Sequence, residues 1–361
     1  MHLQKLSLTN FKNYGQFSST FGTGIHLVAG QNGTGKTNLL DAIHYLCFCK
    51  SYFHATDMQQ VRHGESFFRI EGSFELHGET TDIVIKFGAQ RKKEMSRNDV
   101  PYEKLSAHIG LFPAVMIAPD DIMTVKGSGE ERRKLIDLSL AQQEPDYLQA
   151  LILCAKLIQQ RNALLKQFAE QQWFDMALLE TYNQQLIEPT KLIWKHRCDL
   201  ATQIVPKLQL YYEQLSGGRE QVSCVYQSAL HETSYEDLLQ QSLSSDRRRL
   251  FTTEGIHRDE WAFGMGRFAL RKFGSQGQQK TFLIALKLAL FAHTAANKQL
   301  RPLLLLDDIF DKLDEKRIEQ LISLVAQHPF GQVFITDTQQ SRLQLIFEKQ
   351  HIPYQLISIV Q

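Results

Sequence analysis

The pattern of apolar and polar positions changes twice along the chain and divides it into three stretches. In the first, short alternating or wholly apolar runs predict strands. Leu3, Leu6, Leu8 and Phe11 mark a strand over residues 3–11, and Phe17 to Phe21 a second. Ile25 to Ala29 is apolar throughout, as a buried strand is, and leads into a helical pattern with Leu39, Leu40, Ile43 and Leu46 on one face. Phe67 to Leu76 alternates, Thr81 to Phe87 is its hairpin partner, and Arg91-Lys92-Lys93 and Asn98-Asp99 suggest further hairpin turns. Ala114 to Ala118 is a compact apolar strand. Antiparallel strands beside a strand–helix unit predict a mixed head rather than a simple doubly wound sheet.

From Glu130 to Leu215 the period becomes helical. Leu148, Leu151, Ile152, Ala155 and Ile158 form one stripe, and Ile193, Leu200, Ile204, Leu208, Tyr211 and Leu215 another with near-heptad spacing. Pro189 and Pro206 are expected to kink or interrupt the second run, and Ser216-Gly217-Gly218 to end it. The stretch reads as a helical arm, folded back on itself and inserted into the head. Val222 to Tyr226 (strand) and Tyr235 to Leu243 (helix) lead back. In the last stretch Phe268 to Phe273 reads as a strand, and Gln279 to His293 is apolar on nearly all sides, hence a buried helix. Leu303 to Leu306 is a buried parallel strand ending in Asp307-Asp308. Glu315 to Gln327 is an amphipathic helix, and Val333 to Thr336 and Tyr354 to Ile359 are strands. The fold class is therefore α/β, with a head in residues 1–118 and 246–361 and an arm in 119–245.

The junction of the buried strand and its helix carries the chemistry. Gly30-Gln31-Asn32-Gly33-Thr34-Gly35-Lys36-Thr37 is a Gly-x-x-x-x-Gly-Lys-Thr phosphate loop in the strand-to-helix context that the motif requires. Its glycines let backbone N–H groups turn inward around phosphate oxygens, and the helix aims its positive end at the same anion. Lys36 adds a point charge near the β- and γ-phosphates, and the Thr37 hydroxyl is placed to bind Mg²⁺. Asp307, ending four leucines, has the form of a Walker B metal ligand, which leaves Asp308 to polarise an attacking water. Ser275-Gln276-Gly277-Gln278 opens the buried helix with free N–H groups and a hydroxyl, again suited to phosphate, although Ser is also a good N-cap. ATP and Mg²⁺ are the implied ligands.

Composition narrows the partners. With 361 residues and a formal net charge of +1, the chain is no constitutive nucleic-acid coat, though a local basic face is compatible with it. Arg91-Lys92-Lys93, Arg132-Arg133-Lys134 and Arg247-Arg248-Arg249 are basic runs that read either as solvated faces or as sites of non-specific, salt-dependent contact with nucleic-acid phosphates. Residues 1–10 lack the layout of a signal peptide, and no apolar run approaches the ~20 residues of a membrane span. Five scattered cysteines without zinc spacing read as packed, reduced thiols, so a cytoplasmic protein is expected.

The order of phosphate loop, helical insert, Ser-x-Gly-Gln and Asp-Asp followed by Asp311-Lys312-Leu313-Asp314 resembles an ABC-type head of the SMC-like class, and within it the RecF family. Residues 8–14, Arg62-His63-Gly64, Ala118-Pro119-Asp120-Asp121 and Lys126-Gly127 with Glu131-Arg132-Arg133 carry the likeness. Gly255-Ile256-His257-Arg258-Asp259 and Phe273 to Gln278 extend it. The resemblance implies two heads that dimerise around two ATP molecules, with Ser275, Gly277 and Gln278 reaching the γ-phosphate held by the partner chain. It implies a nucleotide contact for Lys12, and a clamp on double-stranded DNA near gaps or single-strand junctions. It implies cooperation with RecO and RecR in loading recombinase during repair and replication, with slow, DNA-stimulated hydrolysis resetting the clamp. Several positions depart from the pattern. Lys12 stands where Arg is usual, and Lys50-Ser51-Tyr52-Phe53 lacks an expected Arg. Pro119-Asp120-Asp121 and Thr336-Asp337-Thr338 occupy the places of the glutamine loop and the switch histidine. A nucleotide-switched clamp without useful turnover, a transporter head and a phosphotransferase are the competing readings. His257-Arg258-Asp259 fits either a catalytic role or an ion pair bracing the head–arm junction.

Overall fold

Alternating and fully apolar runs become two sheets in one part of the chain, as their periods require. The computed structural model describes residues 1–88, 91–218, 220–310, 313–327, 330–337 and 340–359. Its contacts divide into two compact units: Met1–Asp121 with Tyr211–Arg219 and Ile284–Gln361, and Ile122–Leu210 with Glu220–Leu283.

The first unit holds an antiparallel sheet of β1 (His2–Phe11), β2 (Tyr14–Thr20), β4 (Phe67–Leu76), β5 (Glu79–Gly88), β6 (Arg91–Arg97) and β7 (Val100–Pro101), in the order β2-β1-β4-β5-β6-β7. It also holds a parallel sheet of β3 (Ile25–Ala29), β8 (Ala114–Ile117), β12 (Leu303–Asp307), β13 (Val333–Thr336) and β14 (Tyr354–Ser358), in the order β14-β3-β13-β12-β8. Helix α1 (Lys36–Phe48) contacts both sheets, touching β1 and β4 on one side and β8, β12 and β13 on the other. That explains why nearly all its residues are buried, Asp41 and His44 included. Helices α9 (Glu315–Gln327) and α10 (Gln340–Lys349) complete this unit. Because β13 lies between β3 and β12, the phosphate loop after β3 and the aspartates after β12 emerge at the same carboxyl edge.

The second unit holds helices α2 (Ile122–Lys126), α3 (Gly129–Gln143), α4 (Pro145–Glu170), α6 (Tyr235–Arg249) and α7 (Leu270–Phe273). Helices α5 (Met176–Ser216) and α8 (Gln276–Lys298) each begin in it. A three-stranded antiparallel sheet, β9 (Val222–Gln227), β10 (Glu260–Met265) and β11 (Phe268–Ala269), belongs to it in the order β11-β10-β9. The α4–α5 hairpin is read from its pairs: Tyr147 with Arg197, Cys154 with Thr190, Arg161 with Asn183.

Four expectations change. The units do not divide at 118 and 246: β9 pairs with β10 through Tyr226 and Trp261, which gathers residues 246–283 with the helical stretch. Helix α5 runs unbroken through Pro189 and Pro206, since its buried face, including Leu186, Ile193, Leu200 and Leu208, outweighs the two missing N–H groups. The buried stripe of α4 is Tyr147, Ala150, Cys154, Leu157, Arg161, Leu164, Leu165 and Phe168, not the stripe led by Leu148; Ile152 is 49 % exposed. The paired Arg161 sits on the inner face and disguises the period. Phe268 to Phe273 is not one strand but the two-residue β11 followed by α7. Asp311, Lys312 and Thr338 lie outside the described residues.

Candidate nucleotide site

The turn after β3 has the backbone of an anion cradle. Gly33 and Gly35 take φ of 84° and 108°, values that L side chains rarely adopt. A Cβ on Gly35 would also meet the Asn13 amide at 2.5 Å, so this position is closed to side chains twice over. The β1–β2 turn holds the loop from outside. Asn13 Nδ2 donates to the Thr34 carbonyl (2.8 Å), the Tyr14 hydroxyl donates to the Gly35 carbonyl (2.9 Å), and Asn38 donates back to Asn13 Oδ1 (2.8 Å). Thr34 closes the loop internally through its hydroxyl and N–H, both donating to the Gln31 carbonyl. Lys36 folds over it, its ammonium donating to the carbonyls of Gly30 (2.7 Å) and Gln31 (3.0 Å). Those carbonyls hold the cation at the loop, where a triphosphate's charge would draw it off.

At the start of α1 the Thr37 hydroxyl donates to Asp307, 2.9 Å from Oδ1 and 3.1 Å from Oδ2. Thr336, at the end of β13, donates its hydroxyl to Asp307 Oδ1 (2.8 Å) and accepts from the Asp308 N–H (3.0 Å). Burial pushes the Asp307 carboxyl above its ordinary value, against the pull of the Thr336 and Thr37 donors. Among the described residues no cation pairs with it. A desolvated carboxylate beside a hydroxyl, on the loop that takes phosphates, is the oxygen set a hard divalent cation uses together with phosphate oxygens. Mg²⁺ therefore fits Thr37 and Asp307. Bound there, it would neutralise charge on the β- and γ-phosphates. Asp308 sits at φ 45°, and its Oδ1 is buried with no hydrogen-bond partner. Of the two aspartates, Asp308 is thus the one that keeps a carboxylate oxygen without a hydrogen-bond partner among the described residues.

The other expected residues fall into two groups. Ser275 caps α8: its hydroxyl accepts from Gln278 N–H (3.2 Å), and Gln278 Oε1 accepts from Ser275 N–H (2.7 Å). This reciprocal pair is a capping box. It fixes the first turn, with Gly277 inside it, while Ser275 stays exposed. Ser275, Gly277 and Gln278 lie in the second unit, and the Walker residues in the first. Lys12 does not offer a free charge. Its ammonium pairs with the fully buried Asp41, between Phe11 and Phe53, and Asp41 also accepts from the Ser51 hydroxyl and Tyr52 N–H (2.7 Å each). Sequence reasoning gave no role at the loop to Asn13, Tyr14 or Thr336, although Asn13 and Tyr14 lie in residues 8–14, which carry the family likeness, and Thr336 opens the segment in the place of the switch histidine. Asp259 of His257-Arg258-Asp259 accepts from Arg197 (3.0 Å) and from the Tyr226 hydroxyl, so it braces the second unit from within. Burial pushes His257 below its ordinary value, and its ring meets the Thr252 carbonyl.

The family model for the RecF/RecN/SMC N terminal domain matches residues 2–352. The DNA replication and repair protein RecF of Flavobacterium johnsoniae is 42 % identical over 359 residues, 99 % of this chain and 100 % of that protein. The chain belongs to the RecF family. A second RecF, from Parabacteroides distasonis, is 41 % identical over 99 % of this chain and 97 % of its own length. Among solved structures, the recombination mediator protein RecF of the RecFOR pathway, as RecF-ATP, superposes with TM-score 0.85 at 26 % identity. That match covers 93 % of this chain and 91 % of the RecF chain. An Smc head bound to the C-winged helix domain of ScpA reaches TM-score 0.56 at 14 % identity, a likeness of fold alone. The fold is the α/β ABC-type ATPase head common to RecF and Smc. Among the described residues no helix is long and apolar enough to cross a membrane.

Proposed function

We propose that this chain is an ATP-dependent DNA replication and repair protein of the RecF type, an ATPase whose nucleotide joins two copies into a clamp on double-stranded DNA near gaps or single-strand junctions. The observation that carries the reading is the alignment of Lys36, Thr37, Asp307 and Thr336 at one sheet edge, with Asp308 strained beside them. In this reading ATP lies on the loop with its γ-phosphate toward Asp308. Water attacks the γ-phosphorus, Asp308 accepts its proton, and ADP departs. The exposed, pre-formed capping box of one copy supplies Ser275, Gly277 and Gln278 to the nucleotide of the other. RecO- and RecR-type mediators are the partner proteins, and the cytoplasm is the place of work. An aspartate in place of a longer base predicts slow turnover, below the ~10 s⁻¹ of a median enzyme.

Sedimentation of the pure protein with and without ATP and gapped duplex tests the reading. ATP is expected to double the sedimenting mass and to bring the duplex with it, and Ser275→Arg to abolish both while leaving ATP bound. A mass unmoved by ATP, together with an inert Ser275→Arg, overturns it.

A further inference from the structure

Of the three basic runs, two have members tied to other groups of the chain, although Lys92 and Lys134 stay exposed. Arg132 makes two hydrogen bonds to Glu260 (2.6 and 2.9 Å), Arg133 donates to the Asp259 carbonyl (2.6 Å), and Lys134 pairs with Glu130 one turn back. Lys93 is held by Asp57 and the Cys49 carbonyl. Arg247, Arg248 and Arg249 are exposed in the last turn of α6. Two of them, Arg247 and Arg248, line a groove of about 570 Å³ whose other wall is the α4–α5 connection, with Phe168, Gln172, Trp173 and Phe174.

That connection is unusually well fixed for a loop. Gln172 takes φ 49° after α4, Gln172 N–H donates to Ala169, and Trp173 N–H donates to Phe168 (3.1 Å). This is a Schellman ending, and the Trp173–Phe168 edge contact, centroids 5.5 Å apart, is its hydrophobic clasp. Asp175 then caps α5, its Oδ1 accepting from Leu178 N–H. A smaller apolar residue would serve the clasp. Here the indole is 53 % exposed, while Trp261 is fully buried. Beside it the Arg247 guanidinium lies 4.0 Å from the centroid of Phe174. None of the described lining residues is acidic.

We infer that this groove is a subsite for single-stranded DNA, with an unpaired base stacked on Trp173 and the flanking phosphodiesters at Arg247 and Arg248. An exposed, rigid indole beside guanidinium groups is the equipment of a sequence-tolerant stacking platform. An acidic peptide would use the cations and leave the ring face idle. The inference rests on the DNA-binding reading and deepens it. It gives the unpaired side of a junction its own seat, apart from the duplex.

The test titrates the full chain with oligothymidylate, without ATP, and follows tryptophan emission. Quenching is expected, lost in Trp173→Ala, whose affinity for oligothymidylate falls about tenfold, within the range of one base stacked on one aromatic ring. Arg248→Ala, which keeps every tryptophan, is expected to weaken binding and to reduce the slope of affinity against salt by about one phosphate contact. Absent quenching, unchanged affinity in both variants, or equal quenching by polyglutamate overturns the subsite. The duplex sedimentation above is scored separately. Duplex bound without oligothymidylate quenching removes the subsite and spares the clamp, and the reverse pattern does the opposite.

Discussion

Two buried polar centres of this molecule use the same residue types to opposite ends. In the second unit Arg161 and Asp246 are wholly buried and joined at 2.7 Å. Asp246 also accepts from Thr253 N–H (2.8 Å) and its hydroxyl (2.6 Å), and Arg161 reaches Asn183 and Thr252, leaving one Nη without a partner. In the first unit Asp307 is also buried, yet among the described residues it accepts hydrogen bonds from the Thr37 and Thr336 hydroxyls, has the carboxylates of Asp308 and Asp41 nearby, and burial drives its pKa up. One carboxylate meets its cation inside the fold; the other keeps a charge that the fold does not neutralise. The first arrangement holds α4 to α6, and the second is free to take a cation from solution with a triphosphate.

Asp→Asn at each centre separates them most sharply. Asp246→Asn leaves Arg161 charged, buried and unpaired, and should cost about 3–5 kcal/mol of stability. The unfolding midpoint then drops by several degrees, while ATP turnover of the remaining folded protein is unchanged. Asp307→Asn removes a charge that burial already disfavours, so the midpoint should hold or rise. Turnover should fall on the order of 10²-fold, the scale for losing one electrostatic group at a reacting phosphate or oxyanion. Differential scanning calorimetry and phosphate release read both, and matching losses of midpoint in the two variants would end the contrast.

Acid should separate the units next. His26, His44 and His108, all in the first unit, are buried and pushed down to about 4. Each ring meets a backbone carbonyl, of Gly22, Lys50 and Leu46 respectively, a hold that a neutral imidazole satisfies through its one N–H. Unfolded histidine titrates near 6.5, so between about 4 and 6.5 the unfolded chain binds more protons and stability rises with pH. Full stability is present above that window and is lost as pH falls through it, by up to about 1.4 kcal/mol per pH unit for each histidine. In the second unit His257 is the histidine with a resolved shift of this kind. Amide exchange at pH 5 should therefore quicken first in peptides of the first unit; equal quickening in both units contradicts it.

How far the sequence disclosed all this depended on whether the signal was local. The phosphate loop, the Leu303 to Asp307 strand and helix α9 were legible because their residues declare themselves within a dozen positions. Long-range pairing hid the rest. Arg161 looks like a surface residue until Asp246, 85 positions away, is seen against it. The resemblance implies a nucleotide contact for Lys12, and nothing in the sequence marks Asp41 as the partner its ammonium meets here. Thr336 bridges Asp307 and Asp308 only because β13 pairs with β12 in a register that sets Thr336 opposite Asp307. At Pro189 and Pro206 local propensity argued for a kink or an interruption, and the interruption does not occur because the helix is held by its buried face.

A smaller effect is expected at the rim of the loop. Asn13→Ala removes the donor to Thr34 and the acceptor for Asn38, which between them steady the cradle from the β1–β2 turn. One such hydrogen bond contributes about 1 kcal/mol, so ATP affinity should weaken roughly fivefold, with little change in midpoint. Calorimetric titration of ATP decides it, and an unchanged affinity would mean that the glycines with the Thr34 and Tyr14 hydrogen bonds shape the loop without Asn13.

The smallest change in stability concerns strain. Asp308 at φ 45° and Asp99 at φ 63° both hold a left-handed backbone without being glycine. Asp99 sits with Asn98 (φ 49°) in the two-residue turn joining β6 to β7, where glycine suits the geometry. Asp99→Gly should raise stability by a few tenths to about 1 kcal/mol and leave turnover untouched. Asp308→Gly relieves the same kind of strain, so the midpoint should rise by a similar amount while turnover disappears. Strain kept where glycine would be easier is then explained by the carboxylate it carries. If Asp308→Gly turned over ATP as fast as the parent, the strained aspartate would be no more than another turn residue, and the proton would have to leave the attacking water by some other route.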